Sequence, residues 1–121
     1  VWRDPPGTAS VAILVQGAED QRDAQAHLDE SLCLLQRLAT GFQILQARAA
    51  SPRYGGAWQQ ARYRLRTGER SWDQDVLLSR RGNRIVAITC SAETSAFAAA
   101  EPTFDRIRAA LGTKASTIGL E

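Results

Sequence analysis

Apolar and polar positions change their period along this chain, and the changes mark out its elements. Residues 10 to 17, Ser10-Val11-Ala12-Ile13-Leu14-Val15-Gln16-Gly17, form a short apolar run rich in β-branched side chains and stopped by glycine, the pattern of a buried strand apolar on both faces. From Asp20 or Asp23 as N-cap, Ala24, Leu28, Leu32, Leu35 and Leu38 recur at helical spacing up to Gly41, a residue suited to the left-handed position past a helix end. This predicts a helix over about 22–39, on the order of 25 Å long, with Arg22, Gln25, Asp29, Gln36 and Arg37 on its wet side.

After Gly41 the period becomes two, the spacing of strands. Phe42, Ile44 and Leu45 begin the first, and Ser51-Pro52 with Gly55-Gly56 ends it or opens a loop. In Trp58 to Arg66, Ala61, Tyr63 and Leu65 alternate with Arg62, Arg64 and Arg66. A two-residue turn at Gly68-Glu69 would set Arg64 opposite Asp73, Arg62 opposite Asp75 and Leu65 opposite Trp72, matching charge to charge and apolar to apolar. The returning strand, Ser71 to Arg80, meets a second turn at Arg81-Gly82-Asn83-Arg84 and passes into Ile85 to Cys90. Thr94 to Ala100 follows, and then a short helix with Pro102 in its first turn, Phe104, Ile107 and Leu111 on one stripe and Gly112 past its end. Thr113 to Glu121 carries no pattern and reads as a frayed tail. The order strand, helix, four strands, helix predicts an α+β fold, a mainly antiparallel sheet with helices packed on it, in one domain over residues 1–121 with an ordered core of about 8–112.

Composition supports a single globular core. The 121 residues are 44% hydrophobic and 23% charged, which favours neither disorder nor a membrane protein. No apolar run approaches the roughly 18 to 20 residues of a membrane span, and Val1-Trp2-Arg3-Asp4-Pro5-Pro6 lacks the apolar stretch of a signal peptide, so no membrane insertion and a cytoplasmic location are expected. Fifteen basic against 13 acidic residues give a net charge of +2, too balanced for a nucleic-acid surface. Cys33 and Cys90 read as two buried reduced thiols in preference to a disulfide.

Candidate chemistry assembles nowhere. His27, the single histidine, lies early in the first predicted helix, no glycine-rich elbow surrounds a serine, and Cys33 points away from His27 on the same helix. Asp73 and Asp75 share a strand face as paired catalytic acids might, but the hairpin register offers them Arg64 and Arg62, so cross-strand ion pairing is the simpler account. The same pairing neutralises half of an arginine stripe that could otherwise attract phosphate or nucleic acid. The glycine pairs are turns, and the single lysine, Lys114, completes no phosphate-binding loop. No metal site, cofactor or catalytic residue is expected. Trp58 and Trp72 fall on neighbouring strands of a sheet expected to carry helices on one face, where they either pack the core or form an apolar patch for a partner. With the strand at 11–15 apolar on both sides, the open face favours a partner or a dimer.

The segments Leu38-Ala39-Thr40-Gly41-Phe42, Ala57-Trp58, Val76-Leu77-Leu78-Ser79-Arg80-Arg81, Ile85 to Thr89 and Ala100-Glu101-Pro102-Thr103-Phe104-Asp105-Arg106-Ile107 together resemble the PsbP-like fold. Within it, the chain is most similar to the Eag chaperones of bacterial type VI secretion systems, over about residues 8–112. The resemblance implies a non-catalytic, cytoplasmic homodimer that shields apolar helices of a secreted effector on the open face of its sheet, with Ile13, Val15, Trp72, Gln74 and Val76 lining the groove. The leading expectation is therefore a binding or adaptor protein for an apolar helix or peptide. The alternative is a PsbP-like carrier of a small molecule or lipid in a cleft between sheet and helix.

Overall fold

The computed structural model describes residues 2–4, 9–17, 23–38, 41–49 and 58–117. In chain order these form β1 (Trp2–Asp4), β2 (Ala9–Gly17), α1 (Ala24–Leu38), β3 (Gln43–Ala49), β4 (Gln59–Thr67), β5 (Arg70–Arg81), β6 (Arg84–Glu93) and α2 (Thr94–Thr117). The six strands make one sheet in the order β1-β2-β6-β5-β4-β3, antiparallel at every junction. The chain thus adopts the α+β class, an antiparallel sheet with helices packed on it. Only β1 was absent from the expected order, because three residues are too few to display a period. The loop expected at Ser51-Pro52 and Gly55-Gly56 lies outside the described residues.

Hairpin chemistry fixes the centre of the sheet. Gly68 has φ of 66° and Gly82 of 59°, with no non-glycine residue at positive φ among the described residues, which makes each the first central residue of a type II′ turn. The resulting register pairs Arg62 with Asp75, Arg64 with Asp73 and Leu65 with Trp72, as the alternation predicts. Gly41 also takes a left-handed φ of 67°; a Cβ there would lie 3.0 Å from the Arg66 side chain.

Directly opposite residues of antiparallel strands share a face, so the register sorts the sheet into two sides. Leu77, Val86, Ile88 and Cys90 pack with Trp58 and with Phe97 and Phe104 of α2. On the other side, Leu28 and Leu32 of α1 pack on Ala61 and Tyr63 of β4. Both faces therefore carry a helix, where one covered face was expected, and Trp58 and Trp72 lie on opposite faces.

Three further expectations are corrected. β2 is not a buried strand: Ala9 and Val11 are buried, but residues 12 to 17 are exposed, since they lie at the outer part of the sheet while α1 packs on β4 and β5. Cys33 is a free, exposed thiol while Cys90 is free and buried; Cys33 lies one residue past Leu32, about 100° around the helix from the leucine stripe. Pro102 sits inside an unbroken α2 that continues beyond Gly112. Its missing N–H leaves the Ala98 carbonyl without a helical donor, but Ala98 and Pro102 are both exposed, so water can serve it. Helix α1 begins as expected, with Asp23 Oδ1 accepting from the Ala26 amide at 2.9 Å.

A cluster of ion pairs joins β4, β5 and α2. Asp75, with no solvent exposure, accepts from Gln60 Nε2 at 2.9 Å on each oxygen and from Arg62 Nε at 3.1 Å. Arg108 of α2, 1% exposed, lies 3.5 Å from Asp75 and also pairs with Glu101. Arg62 reaches Glu101 at 2.9 Å and stacks on Phe97. Nearer the start of α2, Asp73 accepts from Arg64 Nε at 2.7 Å and from the Thr94 hydroxyl at 2.9 Å. Burial pushes the Asp73 carboxyl up, but the bonds from Arg64 and Thr94 and the charges of Arg64 and Arg62 outweigh it and hold the group below its ordinary value.

Two predictions follow from these pairs. Asp75→Arg strands buried like charges and is expected to lower unfolding free energy by about 3–5 kcal/mol or to prevent folding, against under about 0.5 kcal/mol for Asp29→Arg on the exposed side of α1; equal urea midpoints would contradict the pairing. A carboxyl with a depressed folded-state pKa contributes stability that is present above its unfolded value, about 3.9, and lost as pH falls through the folded value. Asp73→Asn should therefore cost about 1 kcal/mol at pH 7, given the partial exposure of Arg64, and flatten the fall in stability below about pH 4, measured by urea titration at stepped pH.

Candidate functional site

Helix α1 packs over β4 and β5 and leaves the β6 and β2 part of its face uncovered. Between them runs a groove of about 280 Å³. Leu28, Leu32 and Leu35 form the helix wall, Val76, Leu78, Ile85, Ala87 and Thr89 the floor, and Leu14 with Gln16 the far wall on β2. The parity of the register builds this floor, since β5 sends its even-numbered side chains toward α1.

The five residues implied by the resemblance divide between the two faces. Val76 lies in the groove floor. Gln74 and Trp72 share its face and continue along β5, opposite Ser91 and Glu93 of β6. Ile13 and Val15 face the α2 side, opposite Ile88 and Val86 of its core, and remain 48% and 43% exposed. The β2 residue that does enter the groove is Leu14, 57% exposed, which sequence reasoning missed. A run apolar at every position carries no alternation to say which parity faces the helix; only the pairing of Leu14 with Ala87 settles it.

Polar atoms punctuate the apolar surface. The Tyr63 hydroxyl donates to Gln74 Oε1 at 2.6 Å, and Gln74 Nε2 donates to Ser91 Oγ at 3.3 Å, so three strands hold the Gln74 amide in one orientation. Burial, with a smaller contribution from the Asp75 charge, pushes the Tyr63 phenol up to about 12, which keeps it protonated and donating. Arg70 stacks on Trp72, 4.7 Å from the ring centroid, and extends the surface past the amide. On the opposite face, burial pushes the Cys90 thiol up to about 12. Among the described residues, no group of three or more His, Cys, Asp or Glu side chains could hold a metal ion, and no helix is long and apolar enough to cross a membrane. The groove's chemistry is apolar contact plus a few oriented hydrogen bonds.

No family model matches the chain, and no curated protein matches it. Its fold is similar to that of PA94 from Pseudomonas aeruginosa, a protein of unknown function, with a TM-score of 0.62 and 16% identity over 88% of this chain and 81% of that one. At that identity the likeness concerns the fold alone.

The Tyr63 phenol gives an alkaline prediction. An acid whose folded pKa is raised contributes stability that is full below its unfolded value, about 10, and lost as pH rises toward 12. Urea midpoints should fall over that interval, and Tyr63→Phe should remove part of the fall, the rest belonging to Cys90. The same substitution should cost about 1 kcal/mol at pH 7 by leaving the Gln74 carbonyl short of a donor.

Proposed function

We propose that this chain is a non-catalytic binding protein that holds an apolar helix or peptide of a protein partner in the groove between α1 and strands β5, β6 and β2. The observation that carries the reading is the apolar path from the α1 leucines across Val76 and Ala87 to Leu14, which stays more than half exposed. An amphipathic segment laid there would bury Leu14 and place a polar side chain within reach of Gln74 or Thr89. Size weighs against the carrier alternative. A cavity of 280 Å³ lies just under the roughly 300–1,000 Å³ of sites that envelop a small molecule, whereas an open groove need take only a few side chains of a longer partner. A cytoplasmic chaperone of a secreted effector is the particular form of this role that the resemblance to Eag-type proteins suggests. A homodimer suits the β2 edge beside the groove. Along β2 the uncharged segment 12–17 pairs with β6 alone among the described strands, an unprotected edge of the kind that accepts another strand.

The test is binding of a dye-labelled apolar N-terminal segment from an effector encoded beside this gene, followed by fluorescence anisotropy. Leu14→Asp and Val76→Arg should each weaken binding by about tenfold or more, while Leu34→Asp, on the exposed side of α1, should leave it within about twofold. Undiminished binding by Leu14→Asp would remove the groove from the account, and displacement of the segment by a fatty acid at equal concentration would favour the carrier. Light scattering should give twice the chain mass, and a monomer would remove the dimer from the reading.

A further inference from the structure

The end of the sheet where β5 turns into β6 holds an arrangement that the groove does not use. Arg81 and Arg84 are direct cross-strand partners, so two guanidinium groups rise from the α2 face about 5 Å apart at their Cα atoms. Like charges so placed repel and destabilise the pair. The Arg81 guanidinium stacks over the Trp58 ring, 5.1 Å from its centroid. Its Nε and Nη2, the two parallel donors that match an oxyanion side-on, are shielded from water and meet no acceptor among the described residues. Trp58, only 2% exposed, adds a third such donor in Nε1.

We propose that Arg81, Arg84 and Trp58 Nε1 form a binding site for a phosphate-class dianion at the β5–β6 turn. Each part answers a requirement of such a ligand. Desolvated donors without partners are costly until an acceptor arrives; the Arg81 fork supplies two parallel bonds and the indole a third. The choice of a dianion follows from charge, because a carboxylate would neutralise one guanidinium and leave its neighbour in repulsion. Arg84, exposed beside Arg81 on the neighbouring strand, is the arm that reaches the anion once the Arg81 fork holds it. Arg81 is held in place by Trp58, itself fixed in the α2-side core, so the site is half built before the ligand comes. It is independent of the groove on the other face.

The experiment is an NMR titration of the full chain at low ionic strength with inorganic phosphate, and separately with glycerol 1-phosphate, against sodium acetate at matched ionic strength. The Trp58 indole N–H resonance, identified by its loss in Trp58→Phe, is the readout. A saturable shift with phosphate and not with acetate is expected, and tighter binding of glycerol 1-phosphate would identify a monoester as the better ligand. Arg84→Gln, at an exposed position, should weaken binding about fivefold or more. Arg81→Lys, which keeps the charge but loses the fork, should abolish the indole shift while the circular dichroism spectrum is retained. Arg106→Gln, on the exposed side of α2, serves as the control and should bind like the parent. The site is refuted by an absent or non-saturable shift, by an equal response to acetate, or by parental affinity in both Arg84→Gln and Arg81→Lys.

Discussion

The carboxylate of Asp75 is the constraint on which the arrangement of this protein depends. It is wholly buried, and its partners come from β4 through Gln60 and Arg62 and from α2 through Arg108. Glu101 and, at 3.9 Å, Asp105 also pair with Arg108 from the partly exposed rim, and this surround of opposite charge is what lets Asp75 and Arg108 leave water together. A buried ion pair such as Asp75 with Arg108 is a weak source of net stability compared with well-packed apolar side chains. What it imposes is registry. Any displacement of α2 along the sheet, or of β5 past β4, separates buried charges whose isolation costs several kcal/mol.

From that registry the rest follows by parity. If Asp75 faces α2, then Val76 and Gln74 must face α1, and a slip by one residue would exchange them. The groove floor is thus specified from the opposite side of the sheet: the acid that anchors α2 decides which apolar side chains are left for α1 and for the open groove. Tyr63 shows the same coupling, since its hydroxyl orients Gln74 while its ring is packed under Leu28 and Leu32.

Where local chemistry determines structure, the sequence was readable. Gly68 and the alternation of arginines with apolar residues specified the β4–β5 register, because charge and hydrophobicity agree in one register only. Helix α1 was legible from its leucine spacing and from Asp23. Long-range context decided what was missed. Ile13, Leu14 and Val15 are equally apolar, so only the pairing with β6 could assign them to faces, and the two residues chosen for the groove lie on the other side from Leu14. The continuity of α2 through Pro102 depends on where the Ala98 carbonyl points. Arg108 did carry a signal, for Phe97, Glu101, Phe104 and Arg108 fall on one helical line; a charged residue on that line argued for a buried partner, and Asp75 was available.

The two helices differ in what they leave bare. Helix α2 spans 24 residues and α1 only 15, and the shorter one packs on β4 and β5, away from β2. The exposed apolar surface is consequently not scattered but gathered, with Ile13, Leu14 and Val15 in sequence on one strand and the open groove beside them. Isolated apolar residues at a surface need no explanation, but a contiguous set on an unprotected strand is an aggregation hazard unless something covers it. A segment of three consecutive apolar residues also presents side chains to both faces at once, so an occupant of the α1-side groove can cover Leu14 but not Ile13 and Val15. Full coverage would therefore require two contacts of different geometry, one lying in the groove and one along the β2 edge, so the apolar segment and the second copy proposed above would be complementary rather than competing occupants.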